Sequence, residues 1–495
     1  MKLPRFLRSI PRQELFFISL ILLLALSLRL YRIDDYLTFL GDEGRDVRVV
    51  RNILQGDPAF IGPQTSIGNM YLGPLYYYMM APFLLLWNFN PVGPAIMVAL
   101  LGTLTIAFTW WVGRTWFSPL AGLIAAFFFS ISPVAIIYSK SSWNPNPMPF
   151  FALLAFWSLY QAWQNRRFLY LLVLGISVAF ALQMHYLGLL LFPPLGLLWL
   201  VALKRYWNTK DRSSYIKFSL LGFLSFLLLM SPLLLFDIKH DFPNYQAFTA
   251  FFTNRQTTIN LNPLNSDRFL LVLNKLTDDL VMATSHSYLT LASVTLITLS
   301  LFYLIRTSKD KKNYLILLLW VATGYLGLVV YKQHVYAHYF GFLFPAYYLL
   351  LGVLLSKLVS SSLPARFLAI TLLLSLSYIH LQHSPLRTPP NNQLSRTEQA
   401  VDQIISASGG QEFNFALIAK RNYDESYRYF FELKQAPLVR GEDRLTNQLF
   451  VICEDGDACQ PEGNPQYQIA IFGPAHVVES WQLDHLKIYK LVPSQ

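Results

Sequence analysis

Apolar residues fall in runs near 13–31, 71–88, 93–113, 118–138, 147–163, 168–184, 186–203, 216–236, 287–305, 314–331, 336–356 and 364–381, separated by short polar segments. A membrane-crossing helix needs roughly 17–25 such residues, so the pattern predicts a chain of helical spans. Lys and Arg between the runs decide which ones cross. If every run crosses from a cytoplasmic N-terminus, Arg114, Arg166, Arg167, Lys204, Arg205, Arg306 and Lys309 all fall outside, against the tendency of positive loops to stay inside. Removing one early crossing moves all of them to the cytoplasm. The run at 71–88 is the one to remove: it carries Pro74, Pro82 and the belt Tyr76, Tyr77, Tyr78, which suit a helix lying in the interface. The pattern therefore predicts about eleven spans with 71–88 juxtamembrane or re-entrant. The basic N-terminus followed by residues 15–30 reads as a retained signal-anchor. Residues 32–92, 139–146, around 185, 237–286, 332–335 and everything after 382 are expected outside.

From about residue 385 the pattern changes. Pro385, Pro389 and Pro390 mark a polar linker, and the following segments alternate between helical and strand periodicity. Strands are predicted at 413–419, 449–453, 467–472 and 486–492, and helices at 395–406, capped by Ser395 with Glu398 as a capping box, and at 423–434. Two domains follow: a membrane domain over 1–384 and a small extracytoplasmic α/β domain over 385–495.

Composition agrees: 54% of the 495 residues are hydrophobic and 14% charged, which excludes an ordinary soluble protein. The net charge of +11 is scattered in small loop groups, so it speaks for topology and against a nucleic-acid partner. Cys453 and Cys459, the two cysteines, flank a tight loop in an oxidising compartment, and a local disulfide is expected there.

Chemistry is expected outside. Asp42 and Glu43 follow the first run directly, and behind them Val47, Val50 and Leu54 share one helical face while Arg45, Arg48 and Arg51 share another. Asp42 is expected to cap this helix, with Glu43 in its first turn. The same carboxylates at a membrane surface can act as a general base or hold a divalent cation. The turn at 138–147 gathers Lys140, Trp143 and Asn144, and the other external loops bring His185, Lys239, His338 and Tyr339. Cations and imidazoles at that depth suit a lipid phosphate.

In this arrangement the chain resembles the GT-C superfamily of polyprenyl-phosphate-sugar-dependent glycosyltransferases, specifically the bacterial relatives of protein O-mannosyltransferases and of the lipid A aminoarabinose transferases. The resemblance covers most of residues 10–381. It rests on Asp42-Glu43 after the first span, Gly73-Pro74-Leu75-Tyr76-Tyr77, Tyr138-Ser139-Lys140, the long loop after residue 236 and His338-Tyr339. It implies a GT-C fold in the plasma membrane and transfer of one sugar from a polyprenyl-phosphate donor to a hydroxyl acceptor on lipid, glycan or protein, with membrane lipids as further partners. Asp42 would be the catalytic base, with Glu43 supporting it or helping to hold a divalent cation. Arg45, Tyr77, Lys140, Trp143, Asn144, His185, Lys239, His338 and Tyr339 would bind substrate. Asn144 stands where relatives often carry an aspartate. The rival class is a transporter or flippase of a lipid-linked substrate. It would place ionisable groups within the spans and show inverted repeats. Most charges here sit in loops, and no repeat is visible.

Overall fold

The computed structural model describes residues 10–65, 70–253, 258–259, 267–284, 311–454 and 459–494. The chain divides into two compact units. One is built from the segments up to residue 31, 59–79 and 96–389, the other from 32–58, 80–95 and 390–495.

Among the described residues, seven helices are long and apolar enough to cross a membrane: Arg12–Leu30, Val92–Trp116, Tyr186–Tyr206, Arg212–Lys239, Lys311–Val330, Ala337–Val359 and Leu363–Gln382. The chain is a multi-pass membrane protein. Seven rather than about eleven meet that test for local reasons. The run at 118–138 is interrupted at Ser132-Pro133, leaving Pro119–Ile131 and Pro133–Ile137. The Tyr170–Met184 helix has 15 residues, and Met148–Asn165 is diluted by Gln161, Gln164 and Asn165. The run at 287–305 lies outside the described residues. Leu75–Leu86, in the run read as juxtamembrane, is a 12-residue helix with Pro82 inside it.

Buried charge in the first unit is tied down. Arg29, fully buried, donates to the carbonyls of Ala25, Phe129 and Ser130 at 3.1–3.3 Å. Glu14 accepts from Arg114 Nε at 2.8 Å and from Trp110 Nε1 at 3.2 Å. Such partners are what make an ionisable group tolerable in a membrane domain. The Tyr170–Met184 and Arg212–Lys239 helices nearly touch, since a Cβ on Gly175 would lie 1.9 Å from the Gly222 carbonyl oxygen.

The second unit holds a four-stranded mixed sheet, β1 (Asn414–Ile418), β2 (Leu449–Cys453), β3 (Ala475–Leu483) and β4 (Leu486–Pro493), in the order β1-β2-β4-β3. β1 and β2 are parallel, and the other pairs are antiparallel. Period-two alternation gives the sheet two apolar faces. Ala416, Leu449, Val451 and Leu491 pack with Ile469 and Phe472 on one face. On the other, Phe413 and Phe415 meet Phe431 of the Glu425–Leu433 helix at 5.4 and 5.1 Å between ring centroids.

Two expectations fail here, and one strand was not foreseen. Residues 467–472 form a helix, because the Gln466 side chain accepts from Ile469 N–H and Gly473, at φ 89°, ends the turn. β3 takes the strand position instead; its apolar alternation is broken at Val478 and Glu479, where its register against β4 shifts. The Gln393–Ala407 helix starts two residues before Ser395, with Asn392 at its N-cap, so the Ser395 capping box does not form. The disulfide between Cys453 and Cys459 is present, with the Cα atoms 6.0 Å apart.

Candidate active site

Asp42 lies on the Gly41–Leu54 helix, which belongs to the second unit. Leu40, not Asp42, holds the N-cap position, so the expected cap is displaced by two residues. Glu43 closes the helix start instead: its Oε2 accepts from the Leu40 N–H at 3.1 Å. This leaves the Asp42 carboxylate, 41% exposed, free to make other bonds. Asp42 Oδ1 accepts from Arg45 Nη1 at 2.9 Å and from the Tyr423 hydroxyl at 2.7 Å. Arg45 also binds Asp46 Oδ1, at 2.8 Å from Nη2 and 3.0 Å from Nε, so one guanidinium joins the two aspartates.

The segment after β1 builds the other half of this group. Asn422 Oδ1 accepts from the Gly41 N–H at 2.8 Å, a first-turn donor that lacks an intrahelical partner. Its amide donates to Glu454 Oε1 at 2.8 Å, which also accepts from the Tyr427 hydroxyl at 2.7 Å. Asn422 and Glu454 follow the carboxyl ends of the parallel strands β1 and β2. Farther along the helix Arg48 pairs with Glu425, and Arg51 lies 3.6 Å from Glu432. Gly44 permits the approach, because a Cβ there would lie 2.3 Å from Ser426 Cα. Phe39 adds edge-on contacts to Tyr429 and Phe430 at 6.4 and 5.6 Å.

The electrostatics separate the two neighbouring carboxyls. Burial, then the charges of Asp42 and Asp46, push Glu43 up to about 8. Glu43 is thus a neutral acid near pH 7. Burial chiefly raises the Tyr423 phenol above its ordinary range, with Arg45 opposing and Asp42 adding to the rise, so Tyr423 remains a donor.

The remaining sequence candidates belong to the first unit. Trp143, His185, His338 and Tyr339 come together with Tyr138 and Tyr336: the ring of His338 is 4.2 Å from Trp143, 5.7 Å from Tyr138 and 6.0 Å from His185, and His185 is 4.8 Å from Tyr339. Beside them the Tyr186 and Tyr331 hydroxyls bond at 2.8 Å. Both tyrosines also line an apolar cavity of about 410 Å³ between Leu190, Phe251, Leu326 and Val330. Lys140 and Asn144 both donate to backbone carbonyls. Lys140 Nζ donates to the carbonyls of Arg29 and Tyr31 at 3.1 and 2.6 Å, closing the end of the first helix, and Asn144 Nδ2 donates to Met184 O at 2.6 Å. Tyr77 is buried, and Tyr76 makes the bond to the 139–146 turn, through Ser142 Oγ at 2.7 Å. Lys239 ends its helix exposed. Asp237, expected in the long loop, lies in the last turn of the Arg212–Lys239 helix and accepts from the Asn244 and Tyr245 N–H groups at the start of the Pro243–Thr253 helix.

The sequence reading missed Tyr423, Asn422 and Glu454. The one signal for Asn422 and Tyr423 was a polar run, Asn422-Tyr423-Asp424-Glu425, shortly after a strand, and Glu454 showed only as the first residue after another.

Comparison with known proteins adds the fold. Residues 72–236, a third of the chain, match the family described as dolichyl-phosphate-mannose-protein mannosyltransferase. No curated protein matches. Among solved structures, ArnT from Cupriavidus metallidurans bound to undecaprenyl phosphate superposes with a TM-score of 0.60 at 13% identity, over 96% of this chain and 97% of that one. The fold is GT-C-like. The archaeal oligosaccharyltransferase AglB from Archaeoglobus fulgidus, in complex with an inhibitory peptide and a dolichol-phosphate, gives 0.53 at 11% identity over 86% of this chain. The arabinofuranosyltransferase AftD from Mycobacteria gives 0.52 at 12% over 98%. The chain spans 64% of the AglB chain and 40% of AftD.

Proposed function

We propose that this protein is a membrane glycosyltransferase that moves one sugar from a polyprenyl-phosphate donor to a hydroxyl acceptor on the extracytoplasmic face, with the N-terminus cytoplasmic. The observation that carries the reading is Asp42, a half-exposed carboxylate held by Tyr423 and Arg45 in a chain of GT-C-like fold. Fold partners are described as bound to undecaprenyl phosphate and to a dolichol-phosphate, and lipid-phosphate chemistry is carried over from them as part of the proposal.

In this mechanism Asp42 takes the proton of the acceptor hydroxyl as its oxygen attacks the anomeric carbon. The bond from that carbon to the phosphate oxygen breaks, polyprenyl phosphate leaves with the bonding pair, and the configuration inverts. Glu43 holds the helix start that carries Asp42. The aromatic and histidine group around His338 is assigned to donor recognition, and the 410 Å³ apolar cavity beside it is suited to part of a prenyl chain. A divalent cation at Asp42 would have to compete with Arg45, whose guanidinium already pairs with both Asp42 and Asp46. Among the described residues no three His, Cys, Asp or Glu side chains converge as a metal site. The transporter reading gains no support from Arg29 and Glu14, whose charges are held by backbone carbonyls and by Arg114.

The test is turnover by the purified protein of a panel of undecaprenyl-phosphate-linked hexoses and pentoses. Asp42→Asn should slow release of undecaprenyl phosphate by roughly 100-fold or more. Equal turnover would remove Asp42 as the base, and a donor bound but consumed by neither protein would favour transport.

A further inference from the structure

Away from the groups above, the Tyr170–Met184, Phe192–Tyr206 and Arg212–Lys239 helices border an open apolar cavity of about 630 Å³, within the ~300–1,000 Å³ of ligand clefts. Leu171, Val178, Leu195, Trp199 and Phe223 line it. Its hydroxyl is already committed: Ser219 Oγ accepts from Trp199 Nε1 at 3.0 Å and donates to Tyr215 O at 2.8 Å. Gly196 opens the space, since a Cβ there would meet nothing within 4 Å. An occupant of this cavity must be hydrocarbon.

One end of the cavity is cationic. Trp207 lines it, and the Arg212 guanidinium carbon lies 3.8 Å from the Trp207 ring centre. A second recess of about 530 Å³, bounded by Arg212, Ser213 and Lys217, shares Ile216 and Leu220 with the first. Lys204 and Lys217 are exposed and pair with no carboxylate among the described residues, while the nearby Asp211 is held by Arg166 at 2.6 Å. The mouth of an apolar cavity thus carries unbalanced positive charge. It lies on the loop that the positive-inside pattern assigns to the cytoplasm, the side whose leaflet is rich in anionic lipid.

We infer that these three helices bind an anionic glycerophospholipid, with one acyl chain in the cavity and the headgroup phosphate at Arg212 and Lys217. The hydrocarbon fills space that the helices leave open around Gly196, and the phosphodiester meets the two cations. A zwitterionic lipid of the same chains keeps the first interaction and loses the net attraction. The site is independent of the transfer reaction proposed above.

Native mass spectrometry of the detergent-purified full chain, offered equal amounts of dioleoylphosphatidylglycerol and dioleoylphosphatidylcholine, tests this. The wild type should retain phosphatidylglycerol with a preference on the order of tenfold. Gly196→Leu, which has room for its side chain, should lower that retention on the order of tenfold. Arg212→Gln with Lys217→Gln, both at exposed positions, should abolish the preference and leave phosphatidylcholine retention unchanged. Equal retention of the two lipids by the wild type would overturn the headgroup site, and undiminished binding by a folded Gly196→Leu protein would overturn the cavity. Should Gly196→Leu not fold, the double glutamine variant decides alone, and a persisting preference there would refute the inference.

Discussion

The phenol of Tyr423 donates to the carboxylate of Asp42 at 2.7 Å, across 381 positions of sequence. Both residues belong to the unit that contains the C-terminal sheet, so that sheet has a second role as the support of the Asp42 helix. If Asp42 acts as a base, this bond sets where its oxygens point. Tyr423→Phe keeps the ring against Gly41 and removes only the donor. It should reduce kcat on the order of tenfold with KM nearly unchanged, as loss of a hydrogen bond to a charged group implies. On an Asp42→Asn background the same change should have little further effect, which steady-state kinetics of the double-mutant cycle checks.

Gly44 meets Ser426 too closely for any side chain. Gly44→Ala should therefore separate the Gly41–Leu54 helix from the Glu425–Leu433 helix, at about 1–3 kcal/mol for the overpacking. Limited proteolysis should then cut near residues 55–58 faster than in the wild type. Equal protection of the two proteins would mean that the helices do not depend on this approach.

Glu43 carries a pH signature. Its pKa rises from the ordinary 4.5 to about 8 on folding, chiefly by burial. The folded state therefore binds the proton more tightly than the unfolded one. The stabilisation is complete below pH 4.5 and is lost as pH rises to about 8. Glu43→Gln, which cannot ionise, should flatten the decline in thermal stability across that window. An unchanged pH profile would show that the carboxyl is not the group responsible.

Lys140 should prove structural. Its ammonium closes the end of the Arg12–Leu30 helix on the carbonyls of Arg29 and Tyr31. Lys140→Met would leave them without that donor, costing about 1–3 kcal/mol. The expected result is a lower melting temperature with KM for the lipid donor unchanged, read by thermal unfolding beside kinetics. A raised KM at unchanged stability would return Lys140 to the binding site.

What the sequence made legible follows from how far each interaction reaches. The span helices and the strand Leu449–Cys453 announce themselves through local apolar pattern, and the pair Cys453 and Cys459 through a short loop. The Asp42 region was visible because carboxylates beside an apolar run are rare. Its partners were not, since Asn422, Tyr423 and Glu454 come from the far end of the chain and look like ordinary loop residues. The backbone partners of Lys140 and Asn144 were hidden for a related reason: the carbonyls they bind exist as acceptors only once two helices have ended nearby. β3 escaped because its alternation of Ala475, Val477, Trp481 and Leu483 is interrupted by Val478 and Glu479, where the pairing register shifts.

The Gly41 amide finds its acceptor in Asn422, and Gly44 finds its neighbour in Ser426. A ribosome makes the Asp42 helix early and these partners late. Until the chain has been extended past residue 433, that helix has nothing to dock against, however completely the first spans are inserted. The carboxylate proposed as base therefore gains its phenol partner only after Tyr423 and the helix behind it have been made. A chain stopped short of that point would reach the membrane with Asp42 present in its sequence and the Tyr423 bond missing from its structure.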